Sequence, residues 1–184
     1  MKLQTDKEKK NIPLLGRKPE DDAKPVSYIH AKKIGIIYES PRGEDIQEIN
    51  NLIKELNNDG KEVYSLKYIT VSLSREYMAD INANTLKRYT LSKKDINIFR
   101  RPKKKAVRGF IETWFDIVIY FSVTDIFSMH YLASLCRSRL KVAPYNEKYL
   151  KYYPLMIDIK GEKNLSLMIE SIMKYIKMLN NTEI

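Results

Sequence analysis

The chain has 184 residues, 43% hydrophobic and 30% charged, a balance that suits one globular domain with room for a core. One cysteine and two histidines exclude an intramolecular disulfide framework and argue against a transition-metal site, so neither a metal nor a cofactor is expected. The net charge is +10, but ten of the 33 basic residues and only one of the 23 acidic ones fall between Lys87 and Arg108, so the basicity is one local feature on a nearly neutral body.

No apolar run approaches the roughly 20 residues that a spanning helix needs. The opening MKLQTDKEKKN carries charge without the apolar stretch of a secretory signal, and Asp6, Glu8, Glu20, Asp21 and Asp22 disfavour a mitochondrial transit peptide. A cytoplasmic protein without membrane insertion is expected. Residues 1–32, with Pro13, Pro19 and Pro25 and little apolar periodicity, read as a flexible N-terminal arm, and the domain is expected over 33–184.

Residues 33–38 read as a short apolar strand, followed by a turn through Pro41 and Gly43. Ile46, Ile49, Leu52, Ile53 and Leu56 make one stripe at helical spacing over 44–59, with Glu44, Asp45 and Glu48 early in the helix and Gly60 as its stop. A second strand over 62–69 completes a strand–helix–strand unit. Residues 74–87 are a weak helix candidate, 95–99 (DINIF) a third strand, and 109–114 a helical turn. The run TWFDIVIYFSVTD at 113–125 is the most strand-like in the chain. Ile117 to Phe121 follow one another without a polar break, the habit of a central strand covered on both faces. Thr124 or Asp125 is expected to cap a helix running to about residue 138. A strand over 140–143, a tyrosine-rich loop, a strand over 155–159 and a helix over 165–179 capped by Asn164 complete the chain. This alternation implies an α/β fold: a single Rossmann-like three-layer domain with a mostly parallel sheet of about five to six strands.

The stretches FDIVIYFSV, HYLASLCRSRLKVAPY and YYPLMIDI, with the amphipathic helix after them, resemble a family of small Bacteroidota proteins known as a domain of unknown function, DUF6913. The resemblance covers roughly residues 33–179 and implies a Rossmann-like fold without an activity. Tyr120 stands where that family's pattern has an acidic residue, and Ala143 where it has glycine. A fainter similarity is to the N-terminal half of GT-B glycosyltransferases of the heptosyltransferase type, whose second nucleotide-binding domain has no counterpart here.

In open α/β sheets ligands sit beyond the carboxyl ends of the strands, at the switch in strand order. If the first and central strands flank that switch, Ser40, Arg42 and Gly43 precede a helix N-terminus where an anion could bind, and Ser122, Thr124 and Asp125 face them. Neither nucleotide fingerprint is present. His130 follows Asp125 by five residues, a spacing that would not face them on one helix, and Cys136 falls on an apolar stripe as an inert thiol. Arg100, Arg101, Lys103, Lys104, Lys105 and Arg108, with the basic residues from Lys87 to Lys94, form a candidate nucleic-acid surface. Tyr145, Tyr149, Tyr152 and Tyr153 beside Lys148 and Lys151 could add stacking faces. A membrane surface is the less favoured use of this segment, for want of a basic amphipathic helix. No catalytic set emerges. The expected function is that of a non-enzymatic binding or accessory protein, with two rivals: an RNA- or DNA-binding protein using 87–108, and a small enzyme or ligand-binding domain for a phosphorylated or sugar-linked molecule.

Overall fold

The computed structural model describes residues 26–39, 43–69, 87–159 and 164–179. Six strands form one sheet: β1 (Lys33–Glu39), β2 (Glu62–Ile69), β3 (Arg88–Ser92), β4 (Trp114–Phe121), β5 (Arg137–Pro144) and β6 (Leu155–Ile157). Every pairing is parallel, in the order β3-β2-β1-β4-β5-β6, the doubly wound Rossmann order with its switch between β1 and β4. A parallel sheet must be covered on both faces. Helices α1 (Gly43–Asn58) and α4 (Leu165–Met178) cover one face through Ile49, Leu52, Leu56, Met168, Ile172 and Ile176. Helices α2 (Lys104–Glu112) and α3 (Phe127–Leu135) cover the other through Val107, Phe110, Met129 and Leu132.

The central run behaves as its composition demands. Ile117, Val118 and Ile119 are fully buried, alternating between the two cores. Asp116, polar at the amino end of β4, accepts from the backbone amides of Lys32 and Lys33 at 2.8 and 2.9 Å and so sets the start of β1 against β4. Gly60 ends α1 at φ 75°, the left-handed conformation that glycine adopts freely. Gly35 has a different reason: an added Cβ would lie 3.1 Å from the Phe115 ring, which packs directly over it. Val26, Tyr28 and Ala31 are buried in the core under α1 and α4, and the Tyr28 hydroxyl donates to Asp59 at 2.5 Å.

Several expected elements shift. The third strand is 88–92, not 95–99, because Leu91 is fully buried there and the segment pairs with 65–69. Asp95 instead turns back to accept from the Ser92 amide and hydroxyl at 2.9 and 2.8 Å, closing a 3-10 turn (Lys93–Asp95). The expected turn at 109–114 is the end of α2, which also takes in part of the basic run. Neither Thr124 nor Asp125 caps α3. Ile126 holds the cap position, and the helix ends at Leu135, because residues 137–140 pair with β4 as the start of β5. The last strand is three residues long. Asn164 does cap α4, accepting from the amides of Ser166 and Leu167. The helix candidate at 74–87 falls, apart from Lys87, outside the described residues.

Two lysines sit inside this scaffold. Lys141 is 2% exposed on β5, and its ammonium donates to the Ser134 carbonyl at 3.1 Å, in the last turn of α3 where a cation suits the helix dipole. Burial lowers its pKa, as it does that of Lys67 on β2.

Candidate functional site

The carboxyl ends of β4, β5 and β6 and the start of α4 enclose a pocket of about 300 Å³, lined by residues that include Ser122, Thr124, Asp125, His130, Asn146 and Asp158. Its position follows from the topology. β4 stops at Phe121 and the chain leaves the sheet beside the switch, so 122–126 lies over the strand ends before α3 begins.

The floor of this corner is a carboxylate. Glu39 ends β1 at 5% exposure, and Ser122 Oγ lies 2.9 Å from its Oε2. Thr124 Oγ1 donates to the same oxygen, and the Thr124 amide donates to Ser122 Oγ at 3.2 Å. Two hydroxyls thus solvate an acid that burial would otherwise penalise.

Asp125 sits above it. Burial alone would raise its carboxyl, but hydrogen bonds from Lys148 Nζ at 2.8 Å and the Tyr149 hydroxyl at 2.9 Å outweigh burial and hold its pKa below the usual value. Because α3 begins only at Phe127, Asp125 is not on the helix, and the i, i+5 objection to its meeting His130 does not apply. His130 Nε2 lies 3.6 Å from Asp125 Oδ1.

His130 is 5% exposed and wedged among rings. Tyr149 stacks on it at 3.6 Å between centroids, and Tyr120 and Tyr153 meet it edge-on. Burial, helped by the charge of Lys148 and opposed by Asp125, depresses its pKa to about 4, so the ring is neutral at pH 7. A neutral imidazole donates through one nitrogen only. The carboxylate can only accept, so the favourable tautomer places the proton on Nε2, with Nδ1 accepting from the Tyr153 hydroxyl at 3.0 Å. Tyr120 also lines the pocket. It is 1% exposed, and its hydroxyl has no hydrogen-bond partner among the described residues.

The predicted site residues separate into three groups. Ser122, Thr124 and Asp125 meet in the pocket. Ser40 and Arg42 lie outside the described residues, and Gly43 is the first residue of α1. Arg100, Arg101, Lys103, Lys105 and Arg108 lie elsewhere, along the loop after β3 and the exposed face of α2, where Lys104 is the first helical residue. Of the expected stacking tyrosines, Tyr149 and Tyr153 are 3% exposed and turned inward against His130, so they offer no face to a base. Cys136 is buried, and burial pushes its thiol up to about 12. Among the described residues no cluster of three His, Cys, Asp or Glu side chains could hold a metal ion, and no helix is long and apolar enough to cross a membrane.

Sequence reasoning missed Glu39, Asn146 and Asp158, and left His130 unpaired. The one local hint was the density of tyrosines around 145–153, two of which build the wall around His130. The comparisons add a family but no activity. No curated protein matches the chain. Residues 6–179 match the family described as "Family of unknown function (DUF6913)", and the chain belongs to that family.

Proposed function

We propose that this member of DUF6913 is a non-enzymatic binding protein whose pocket at the carboxyl ends of β4 to β6 takes a small molecule rich in hydroxyl or amine groups. The observation that carries this reading is the character of the lining among the described residues: Asp125 and Asp158 with Ser122, Thr124, Tyr145 and Asn146, and no lysine or arginine. Such walls accept hydrogen bonds from the hydroxyl or amine groups of a ligand.

Capture rather than catalysis fits the engagement of every candidate group. The Ser122 and Thr124 hydroxyls are committed to Glu39, both His130 nitrogens face protein groups, and Cys136 is enclosed. The lining, rich in hydrogen-bond acceptors, suits the sugar-like rather than the phosphorylated member of the expected ligand pair.

A thermal-shift screen of neutral hexoses, polyols, simple amines and inorganic phosphate tests the reading. Ligand at 100 times its Kd stabilises by about 2.7 kcal/mol, and Asp125→Asn should abolish that shift. A flat response to all the hydroxyl and amine compounds, or a response to phosphate alone, would sink it.

A further inference from the structure

We propose that the loop 97–101, together with the cations around it, docks on an anionic lipid surface. Ile98 is 91% exposed and Phe99 68%, adjacent in sequence at the turn of the loop. Together they make one contiguous apolar patch, and such patches rimmed by polar groups mark interaction or membrane surfaces more often than single exposed residues do.

Their exposure is built in rather than incidental. The stem is closed by an antiparallel bridge between Ile96 and Pro102, and the Asn97 amide donates to the Arg101 carbonyl at 2.9 Å. The Asn97 side-chain oxygen accepts from the amides of Phe99 and Arg101 at 2.9 and 3.0 Å, which fixes the turn from inside. Arg100 takes the left-handed conformation at φ 57°, and its carbonyl accepts from Ser128 on α3 at 2.7 Å. Arg101 lies over the Tyr131 ring of the same helix, 5.6 Å from its centroid. The loop is therefore pinned to α3 at its base while its apolar tip points away from the body.

Cations flank that tip in the chain. Lys93, Lys94, Arg100, Lys103 and Lys105 are exposed, and the one acidic residue of the segment, Asp95, is turned back onto Ser92. An exposed apolar tip flanked by positive charge matches the cross-section of an anionic bilayer, with apolar groups at the acyl boundary and lysines at headgroup depth. The basic helix α2 does not supply the apolar part, because Val107 and Phe110 are buried in the core. Ile98 decides between lipid and nucleic acid. Phosphate contacts and one stacking aromatic would serve a single strand, whereas an aliphatic side chain more exposed than Phe99 has no base to stack on but does have a place among acyl chains.

Flotation of the full chain with phosphatidylcholine vesicles, with and without phosphatidylserine, tests this, beside anisotropy titration of a single-stranded polyuridine RNA. The expected result is flotation only with phosphatidylserine, lost at least tenfold in an Ile98→Ser/Phe99→Ser variant that melts like the parent. Absence of flotation overturns the proposal, whether or not the RNA binds. So does flotation that survives the double replacement, which would mark a generic attraction of polyanions to lysine. Phe99→Trp provides a check independent of that variant's folding: its added fluorescence should shift blue on phosphatidylserine vesicles, and an unmoved spectrum counts against insertion.

Discussion

On one side of the β1–β4 junction the carboxyl edge of the sheet leads into a pocket with Asp125, Asp158 and a wall of buried rings. On the other, past β3, the same edge leads into an open loop of cations with Ile98 and Phe99 at its turn. The two halves solve the cost of charge in opposite ways. Glu39 is drawn inward while Asp125 lies at the pocket's rim, and each is supplied with two protein donors. Lys93, Lys94, Lys103 and Lys105 stay exposed to water, so their charge carries no burial cost. An enclosed charge constrains everything around it, whereas an exposed run constrains little and is free to meet something else.

The largest test asks whether the halves are separable at all. Ile119 is fully buried on β4 at their common centre, and Ile119→Ala should remove about 2–5 kcal/mol of stability. Denaturation followed by Trp114 fluorescence and by far-UV circular dichroism should give one coincident transition at a lower midpoint. Two separated transitions would break the view of a single cooperative body.

The next effect belongs to the pocket alone. His130 has its pKa depressed from 6.5 to about 4 in the folded chain, so between these values the unfolded chain binds more protons. Its contribution is complete above pH 6.5 and is lost as the pH falls towards 4, at about 1.4 kcal/mol per unit and roughly 3 kcal/mol in all. Asp125, held below its usual pKa, acts with the same sign, losing its contribution as it protonates. Urea midpoints across that window should fall in the parent more steeply than in His130→Phe. Parallel slopes would mean that the histidine is not held neutral.

How much of this was legible differs between the halves for a physical reason. The basic surface is contiguous in the chain, so counting residues from Lys87 to Arg108 was enough to find it. The parallel sheet was legible too, because unbroken runs such as 117–121 have few other ways to be buried. The pocket was not, since its walls come from 120, 122–125, 130, 144–146, 158–159 and 168, segments that only the strand order brings together. Asp125 and His130 illustrate the difficulty. A helix assumed to start two residues too early turned them away from each other, and element boundaries are the weakest part of any periodicity argument. In the same way 95–99 alternates like a strand, but the alternation belongs to a loop in which Asp95 and Asn97 bind backbone and Ile98 faces water.

A smaller substitution sharpens the contrast from within the scaffold. Gly35→Ala would press a methyl group against Phe115, whose ring is held by Tyr64 edge-on and by Phe110 of α2. Overpacking of this kind removes about 1–3 kcal/mol. Hydrogen exchange should show α2, beneath the basic half, losing protection more than α4 beside the pocket. Equal loss in both would mean that the strain spreads through the whole sheet.

The smallest expected effect bears most directly on the basic half. Arg108 and Glu112 pair across one turn of α2 at 2.9 Å, with their side chains 73% and 61% exposed. A pair this solvated contributes at most about 0.5 kcal/mol, so Arg108→Ala should leave the denaturation midpoint nearly unmoved. The same substitution removes one positive charge from the face that α2 presents beside the loop. If that face serves as a surface for anionic partners, low-salt retention on a polyanionic matrix should fall while stability holds. A stability loss as large as that of Gly35→Ala would make the arginine part of the scaffold, and the division between an enclosed half that must pair its charges and an open half that need not would no longer hold.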